Sequence, residues 1–349
     1  MAATSERSGN LFVAYQPSEI PKLSQPPVLI LGNLDGIHRG HRALIEKSRQ
    51  LAGGSPVMSA EVTTEPPRAA ELMKAPTWAL TFHPHPAEVL SPSRSLQLLH
   101  RPTHQFQRIF SFENQRALLE ETGVNGIYYH HFDQKTAAQE PEEFLNQVVW
   151  PLFHPAAMVV GFNFRFGRGR HGDSHVLQEW GAGKGVSIHV VPALHWHGQV
   201  VSSSNIRESL RDGDVRDANE LLGFPFFITG QVEAGERRGR DLGFPTANLA
   251  RPSTLLPKEG VYATRVHVAS AIYPSVTHLG AAPTFHDSHQ RIESYLLDFK
   301  GELYGQGLKV EFLDRLRETR AFTKPDDLKA QIAKDIQRAR EVHHEFTGF

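Results

Sequence analysis

The sequence predicts a two-part chain: an α/β first part built on a parallel sheet, and a second part that is an antiparallel β-barrel closed by a helix. Three observations carry this. Short apolar runs alternate with amphipathic stretches over about the first 210 residues, the pattern of a parallel sheet with helices on both faces. After Phe226 the chain turns to strand-like runs separated by turns, which reads as an antiparallel barrel. A length of 349 residues is enough for two separate cores.

The elements follow in order. Apolar runs at Val28–Leu31, Trp78–Phe82, Ile127–Tyr129, Met158–Val160 and Ile188–Val191 are the expected strands of the first part. Between them lie helical patterns at Asn114–Glu121, Pro141–Val149 and His175–Trp180. Ala52–Pro76 bears Pro, Gly and Glu without periodicity and reads as a loop or insertion. A helical stretch at Val215–Leu222 runs into Gly223-Phe224-Pro225, a punctuation that places the domain boundary there, giving domains 1–224 and 225–349. The second part offers strands at Phe226–Val232, Gly260–Val268, Ser275–Gly280, Ile292–Phe299 and Leu308–Leu313. It closes on a helix over Asp326–Glu345, with Leu328, Ile332, Ile336 and Ala339 as its packing face.

Composition narrows the function classes. Apolar residues make 40% and charged residues 21% of the chain, as in an ordinary globular protein. A net charge of −1 without a basic stripe argues against nucleic acid as a partner. No apolar run approaches the length of a bilayer span, and the first residues lack an apolar signal core, so no membrane role is expected. Zero cysteines excludes disulfides and thiolate metal sites and fits a cytoplasmic address.

The most informative segment is Gly32-Asn33-Leu34-Asp35-Gly36-Ile37-His38-Arg39-Gly40-His41. An apolar strand runs into a Gly-bearing turn that opens a helix. Unpaired N–H groups at a helix start bind phosphate, and glycine allows close backbone approach. His38 and His41, three positions apart, can donate hydrogen bonds to an α-phosphate and stabilise charge on the reacting phosphorus. Phe82-His83-Pro84-His85-Pro86 follows the next strand as an extended loop able to present His85, Pro86 and backbone groups to a planar ring. Gly161–Asp173 alternates aromatics with Arg and Gly. There Asn163 can read a ring edge and Arg170 can pair with phosphate, while Asp173 is either a ligand or simply a helix N-cap. Ser202–Arg207 again follows a strand and opens a helix; Ser203 and Arg207 suit a polyphosphate, and one serine serves equally as a cap. The three motifs that follow the first part's strands are expected to converge on one edge of its sheet.

The second part carries its own constellation. Glycines at 235, 239 and 243 permit an arch over phosphates. Thr246 and Asn248 offer neutral oxygens to Mg²⁺. Glu293 sits in strand-like alternation, either on a solvated face or as a base toward a substrate hydroxyl.

Taken together, in motif order over residues 28–342, these segments resemble the bacterial bifunctional riboflavin kinase/FAD synthetase family. Gly32–His41 resembles G-N-F-D-G-x-H-x-G-H, Thr81–Pro86 resembles T-F-x-P-H-P, and Gly161–Asp173 resembles G-x-[DN]-F-R-F-G-x-x-R-x-G-D. Ser202–Arg207, Gly239–Asn248, Gly260–Tyr262, Pro283–Phe285 and Glu293–Phe299 continue the match. The resemblance implies a Rossmann-like nucleotidyltransferase domain and a riboflavin kinase barrel. The barrel would phosphorylate riboflavin with ATP to FMN, and the first domain would adenylylate FMN with ATP to FAD and pyrophosphate. By the same carry-over, Gly32, Asn33, Asp35, His38, His41, Ser203 and Arg207 would hold ATP in the first site, and Gly239, Thr246 and Asn248 in the second. His85, Pro86, Asn163, Arg170 and Asp173 would contact flavin. Thr246 and Asn248 would hold Mg²⁺, and Glu293 would be the kinase base. Partners would be small molecules only, with a monomer or weak homo-oligomer expected. Departures from the pattern are Leu34 for Phe, Ser204 for Thr, His83 for an acidic residue, Asn114-Gln115 for Glu-Lys, Ala281-Ala282 before Pro283, and Tyr295 for His. H-x-G-H also marks other nucleotidyltransferases, acting on pantetheine phosphate or nicotinate mononucleotide; the Gly239–Asn248 motif argues against those. A non-catalytic flavin sensor is the third reading.

Overall fold

A computed structural model of the chain describes residues 6–8, 11–53, 75–90, 106–233, 244–282 and 287–346. Most of the expected 52–76 loop, together with Gly235, Gly239, Gly243 and Pro283–Phe285, lies outside the described residues. By packing, the chain divides into two compact units, Met1–His195 and Trp196–Phe349.

The first unit is a seven-stranded sheet. Its strands are β1 (Glu6–Ser8), β2 (Leu11–Ala14), β3 (Val28–Leu31), β4 (Thr77–His83), β5 (Gly126–His131), β6 (Ala157–Gly161) and β7 (Ser187–Val191), in the order β1-β2-β5-β4-β3-β6-β7. All neighbours are parallel except the edge pair β1–β2. All five expected strands are present. The two additional ones, β1 and β2, are only three and four residues long, too short for periodicity to betray. Alternation sorts each strand between two faces. Leu29, Leu31, Trp78, Leu80, Tyr128, Met158 and Val160 pack on one face against Phe144, Leu145, Val149, Phe153 and Leu177. Ile30, Ala79, Ile127 and Val159 are buried on the other, where helix α1 (Arg39–Leu51) lies on β3 and β6. The expected helix over 141–149 is a helix at Pro141–Phe144 that widens to a π-turn over Leu145–Val149 and resumes at Trp150–Phe153.

After β3 the chain builds outward through β4 and β5, then returns to β6 on the other side of β3. The strand order reverses there, and in open α/β sheets ligands bind at the carboxyl ends flanking that reversal. The Gly32, Phe82 and Gly161 motifs leave β3, β4 and β6, three adjacent parallel strands, and so emerge at one edge, as expected.

The second unit begins earlier than the expected boundary at 224/225. Short strand β9 (Gln199–Val200, after β8 at His195–Trp196) leads to helices Ser203–Asp212 and Val215–Leu222. On the second of these helices Asn219 bonds to the barrel and to the chain leading into it. Its Nδ2 donates to Phe312 O at 2.8 Å, and its Oδ1 accepts from Phe226 N at 2.6 Å. The barrel is closed in the order β10 (Phe227–Glu233), β11 (Ala247–Leu249), β14 (Asp287–Leu296), β13 (Ala271–Ala282), β12 (Gly260–Val268) and β15 (Gly307–Arg317), all antiparallel. Inside it Thr264, Thr277 and Ser294 are fully buried and joined hydroxyl to hydroxyl at 2.7 and 2.8 Å, so each polar group is paired. The C-terminal helix spans Pro325–Glu345. Its deepest residues are Asp335, Ala339 and Val342, whereas Leu328, Ile332 and Ile336 are half-buried. The expected face is present, and a carboxylate interrupts it where Asp335 meets Arg317 of β15.

Candidate active sites

In the first unit the Gly32–His41 turn is held by side chains from two other elements and by its own Asp35. Thr81 Oγ1 of β4 donates to Asn33 O at 3.0 Å. Gln115 Nε2, from helix Phe112–Glu120, donates to Asn33 O at 3.2 Å and Leu34 O at 2.9 Å. Asp35 is buried and accepts the Ile109 N–H at 3.1 Å. The turn adopts left-handed backbone at Leu34 (φ 50°), Gly36 (φ 100°) and Ile37 (φ 43°). For a β-branched residue such as Ile37 this conformation is costly and persists only where the surroundings enforce it. Leu34 and Ile37 are both fully buried, which supplies that enforcement. Leu34, the departure from Phe, is a packing residue.

The strained turn delivers His38 to the N-cap of α1. Its Nδ1 accepts the His41 N–H at 3.3 Å, and the two imidazoles stack with centroids 3.7 Å apart, 16° from parallel. Because Nδ1 accepts, the neutral His38 ring carries its proton on Nε2. The N-terminus of α1 therefore combines a backbone anion site with two adjacent imidazoles.

Around this turn lies a residue that sequence reasoning missed. Arg108 is buried, its guanidinium lies 3.2 Å over the centre of the Phe112 ring, and Nη2 donates to Gln115 Oε1 at 3.2 Å. Burial lowers its pKa, and the Asp35 charge opposes that fall. Gln115 thus holds the turn and is itself held by the buried Arg108 guanidinium. Nothing in the local sequence signals this. His83, which replaces an acidic residue, meets Phe112 edge-on at 4.0 Å. Burial first, and Arg108 next, lower its pKa, which favours the neutral ring.

The flavin candidates are placed as follows. His85 is buried, stacks on Phe106 at 4.4 Å, and accepts the Ala87 N–H through Nδ1; Pro86 begins the short helix Pro86–Leu90. Asn163 and Arg170 are exposed, Arg170 with φ 62°. Asp173 is the N-cap of helix Ser174–Lys184, accepting from His175 N at 2.9 Å and Val176 N at 3.1 Å, so the capping alternative is realised. Those backbone donors lower its pKa. Phe164 and Phe166 stack on each other, leaving Phe162 as the exposed ring of the motif.

In the second unit Ser202 caps helix Ser203–Asp212, accepting from Asn205 N at 3.2 Å. Ser203 O accepts from Arg207 Nη1 at 3.1 Å. These residues belong to the second packing unit, not the first. Asn248, in β11, pairs in register with Glu293 of β14, and Thr246 immediately precedes that strand. Gly239 lies outside the described residues. The neutral oxygens that Thr246 and Asn248 carry are a donor type that fits Mg²⁺, which takes few protein oxygens and keeps waters or phosphate for the rest. Among the described residues no group of three or more His, Asp or Glu is arranged to hold a metal by itself.

Comparison with known proteins decides the family. A family model described as FAD synthetase matches residues 20–205, and one described as riboflavin kinase matches residues 222–343. The bifunctional riboflavin kinase/FMN adenylyltransferase of Escherichia coli K12 is 33% identical over 327 residues, covering 92% of this chain and 96% of that protein. The Bacillus subtilis enzyme of the same name is 34% identical over 316 residues, covering 89% and 91%. The chain belongs to the bifunctional riboflavin kinase/FMN adenylyltransferase family. The parallel sheet lies within the FAD synthetase match apart from its N-terminal edge, and the barrel lies within the riboflavin kinase match. A crystal structure titled macrolide-efflux protein, from Streptococcus pneumoniae, superposes with a TM-score of 0.76 at 26% identity, over 95% of this chain and 99% of that one. In this chain no described helix is long and apolar enough to cross a membrane.

Proposed function

We infer that this member of the bifunctional family makes FAD from riboflavin in two steps. In the barrel the terminal ribityl hydroxyl oxygen attacks the γ-phosphorus of ATP. The bond to the ADP oxygen breaks, and the hydroxyl proton passes to the Glu293 carboxylate. Thr246 and Asn248 would hold Mg²⁺ with ATP, and Gly239 would serve the ATP phosphates. The ion, when bound, screens phosphate charge.

In the sheet domain a phosphate oxygen of FMN attacks the α-phosphorus of a second ATP, and the bond to the β-phosphate breaks to release pyrophosphate. His38, through Nε2–H, and His41 donate to the phosphate oxygens where charge accumulates. Gly32, Asn33 and Asp35 shape the turn, Asp35 by bracing it through Ile109. Ser203 and Arg207 serve the triphosphate, and His85, Pro86, Asn163, Arg170 and Asp173 the flavin, Asp173 by setting the helix start. We keep 1–224 and 225–349 as functional domains, although packing divides the chain at 195/196. The enzyme acts in the cytoplasm on small molecules, without nucleic acid or membrane, as a monomer or weak homo-oligomer.

The observation that carries this reading is the stacked His38–His41 pair at the start of α1, at the reversal point of the parallel sheet. Purified protein incubated with riboflavin, Mg²⁺ and ATP is expected to yield FMN and then FAD on chromatography. His41→Ala should slow FAD formation by roughly 10²–10³ while FMN formation survives. Glu293→Gln should slow FMN formation by about 10²–10⁴ and leave added FMN convertible to FAD. Equal loss of both activities in either variant would refute this assignment.

A further inference from the structure

Glu293 has a cross-strand neighbour that the mechanism above does not use. β13 and β14 pair with His278 opposite Glu293, and β11 and β14 pair with Asn248 opposite the same residue. Residues directly opposite on neighbouring strands share a face. Asn248, Glu293 and His278 therefore form one row across three strands. His278 Nδ1 stands 3.9 Å from Glu293 Oε2, and its Nε2 lies 3.1 Å from Thr319 Oγ1.

We propose that His278 is a positioning residue for phosphoryl transfer: held by Thr319 at Nε2, it presents Nδ1–H to the Glu293 carboxylate and orients it toward the substrate hydroxyl. This rests on the reading of Glu293 as the base. The ring has the right form for the task. Burial, with the nearby Arg317 charge second, pushes its pKa down to about 4, so it is neutral at pH 7. A neutral imidazole has one donor nitrogen and one acceptor. A hydroxyl can donate or accept, and the tautomer in which Thr319 donates to Nε2 leaves the proton on Nδ1, on the carboxylate side. A separation of 3.9 Å exceeds a hydrogen bond. A small side-chain movement or one bridging water closes it, and such contacts commonly tighten only with substrate in place.

The family pattern places a histidine at 295, where this chain has Tyr295. That ring is engaged edge-on with Phe244 at 5.6 Å and sits opposite Val276. Positions 293 and 295 lie on one face of the strand. An imidazole on the facing strand, at 278, thus stands on the same face and closer in register to the carboxylate.

The test uses the full-length protein and measures riboflavin phosphorylation, with the thermal unfolding transition of the barrel as the folding control and FMN adenylylation as the measure of active protein. His278→Leu should lower kcat by ~10–100-fold, the loss typical when a group that orients a functional ligand is removed. KM for riboflavin and ATP should stay within about twofold, since no substrate contact is lost. His278→Asn, whose amide N–H can reach the Nδ1 position, should recover most of the rate, and Thr319→Val should lose part of it. In a Glu293→Gln background, His278→Leu should add nothing. A wild-type kcat in His278→Leu alongside a slow Glu293→Gln would overturn this inference alone, as would His278→Asn being as slow as His278→Leu. A wild-type rate in Glu293→Gln would overturn the base assignment and this inference with it. If His278→Leu fails to fold, Thr319→Val decides: an unchanged kcat there overturns the proposal.

Discussion

His130 illustrates what a single buried imidazole does to stability. It sits at the end of β5, edge-on to Phe82 and Phe144, with Tyr128 Oη 3.2 Å from its Nδ1. Burial, with His131 second, pushes its pKa down to about 4. A depressed folded pKa means the unfolded chain binds the proton first, so stability is whole above about pH 6.5 and is lost as pH falls toward 4. By pH 5 this group alone removes about 2 kcal/mol. His130→Gln can keep a partner for Tyr128 without titrating. Urea unfolding at pH 7 and pH 5 should therefore show the variant losing about 2 kcal/mol less than wild type over that interval. Parallel losses in the two proteins would contradict the assignment.

At the scale of elements, the C-terminal helix is fastened by charge as well as by apolar contact. Asp335 accepts from Arg317 Nε at 3.0 Å and Nη2 at 2.8 Å, and from Gln331 Nε2 at 2.8 Å. Both members of the ion pair are largely buried. Removing one partner strands the other charge, which typically costs 3–5 kcal/mol, so Asp335→Ala should destabilise the barrel by about 3 kcal/mol. For a unit of this size that is roughly 6–12 °C in Tm. Scanning calorimetry checks it, and a shift under about 2 °C would show that apolar packing of Ala339 and Val342 suffices. The helix was legible in the sequence to within one residue, but its clamp was not. Periodicity counts apolar positions, and Asp335 reads as a solvated residue until Arg317 is brought to it from β15.

For the molecule as a whole, two sites with one shared intermediate predict separability in trans. A mixture of His41→Ala and Glu293→Gln proteins should convert riboflavin to FAD with ATP, because the first makes FMN and the second consumes it. Chromatography of the flavins reads this directly. Accumulation of FMN without FAD would mean that FMN made on one molecule does not reach another.

The sequence alone determined the kinds of elements and most of their positions. Val28–Leu31 and Gly260–Val268 are strands to the residue, because runs and alternation of apolar side chains are local properties of the chain. It also determined the turn that carries His38 and His41, since glycine placement and helix starts are local too. Only the tertiary structure decided that Arg108 stands behind Gln115, that Asn219 ties the 203–222 helices to the barrel, and that His278 faces Glu293. Each of these depends on strand register or on contacts between residues distant in sequence, and neither leaves a trace in the order of residues along one segment.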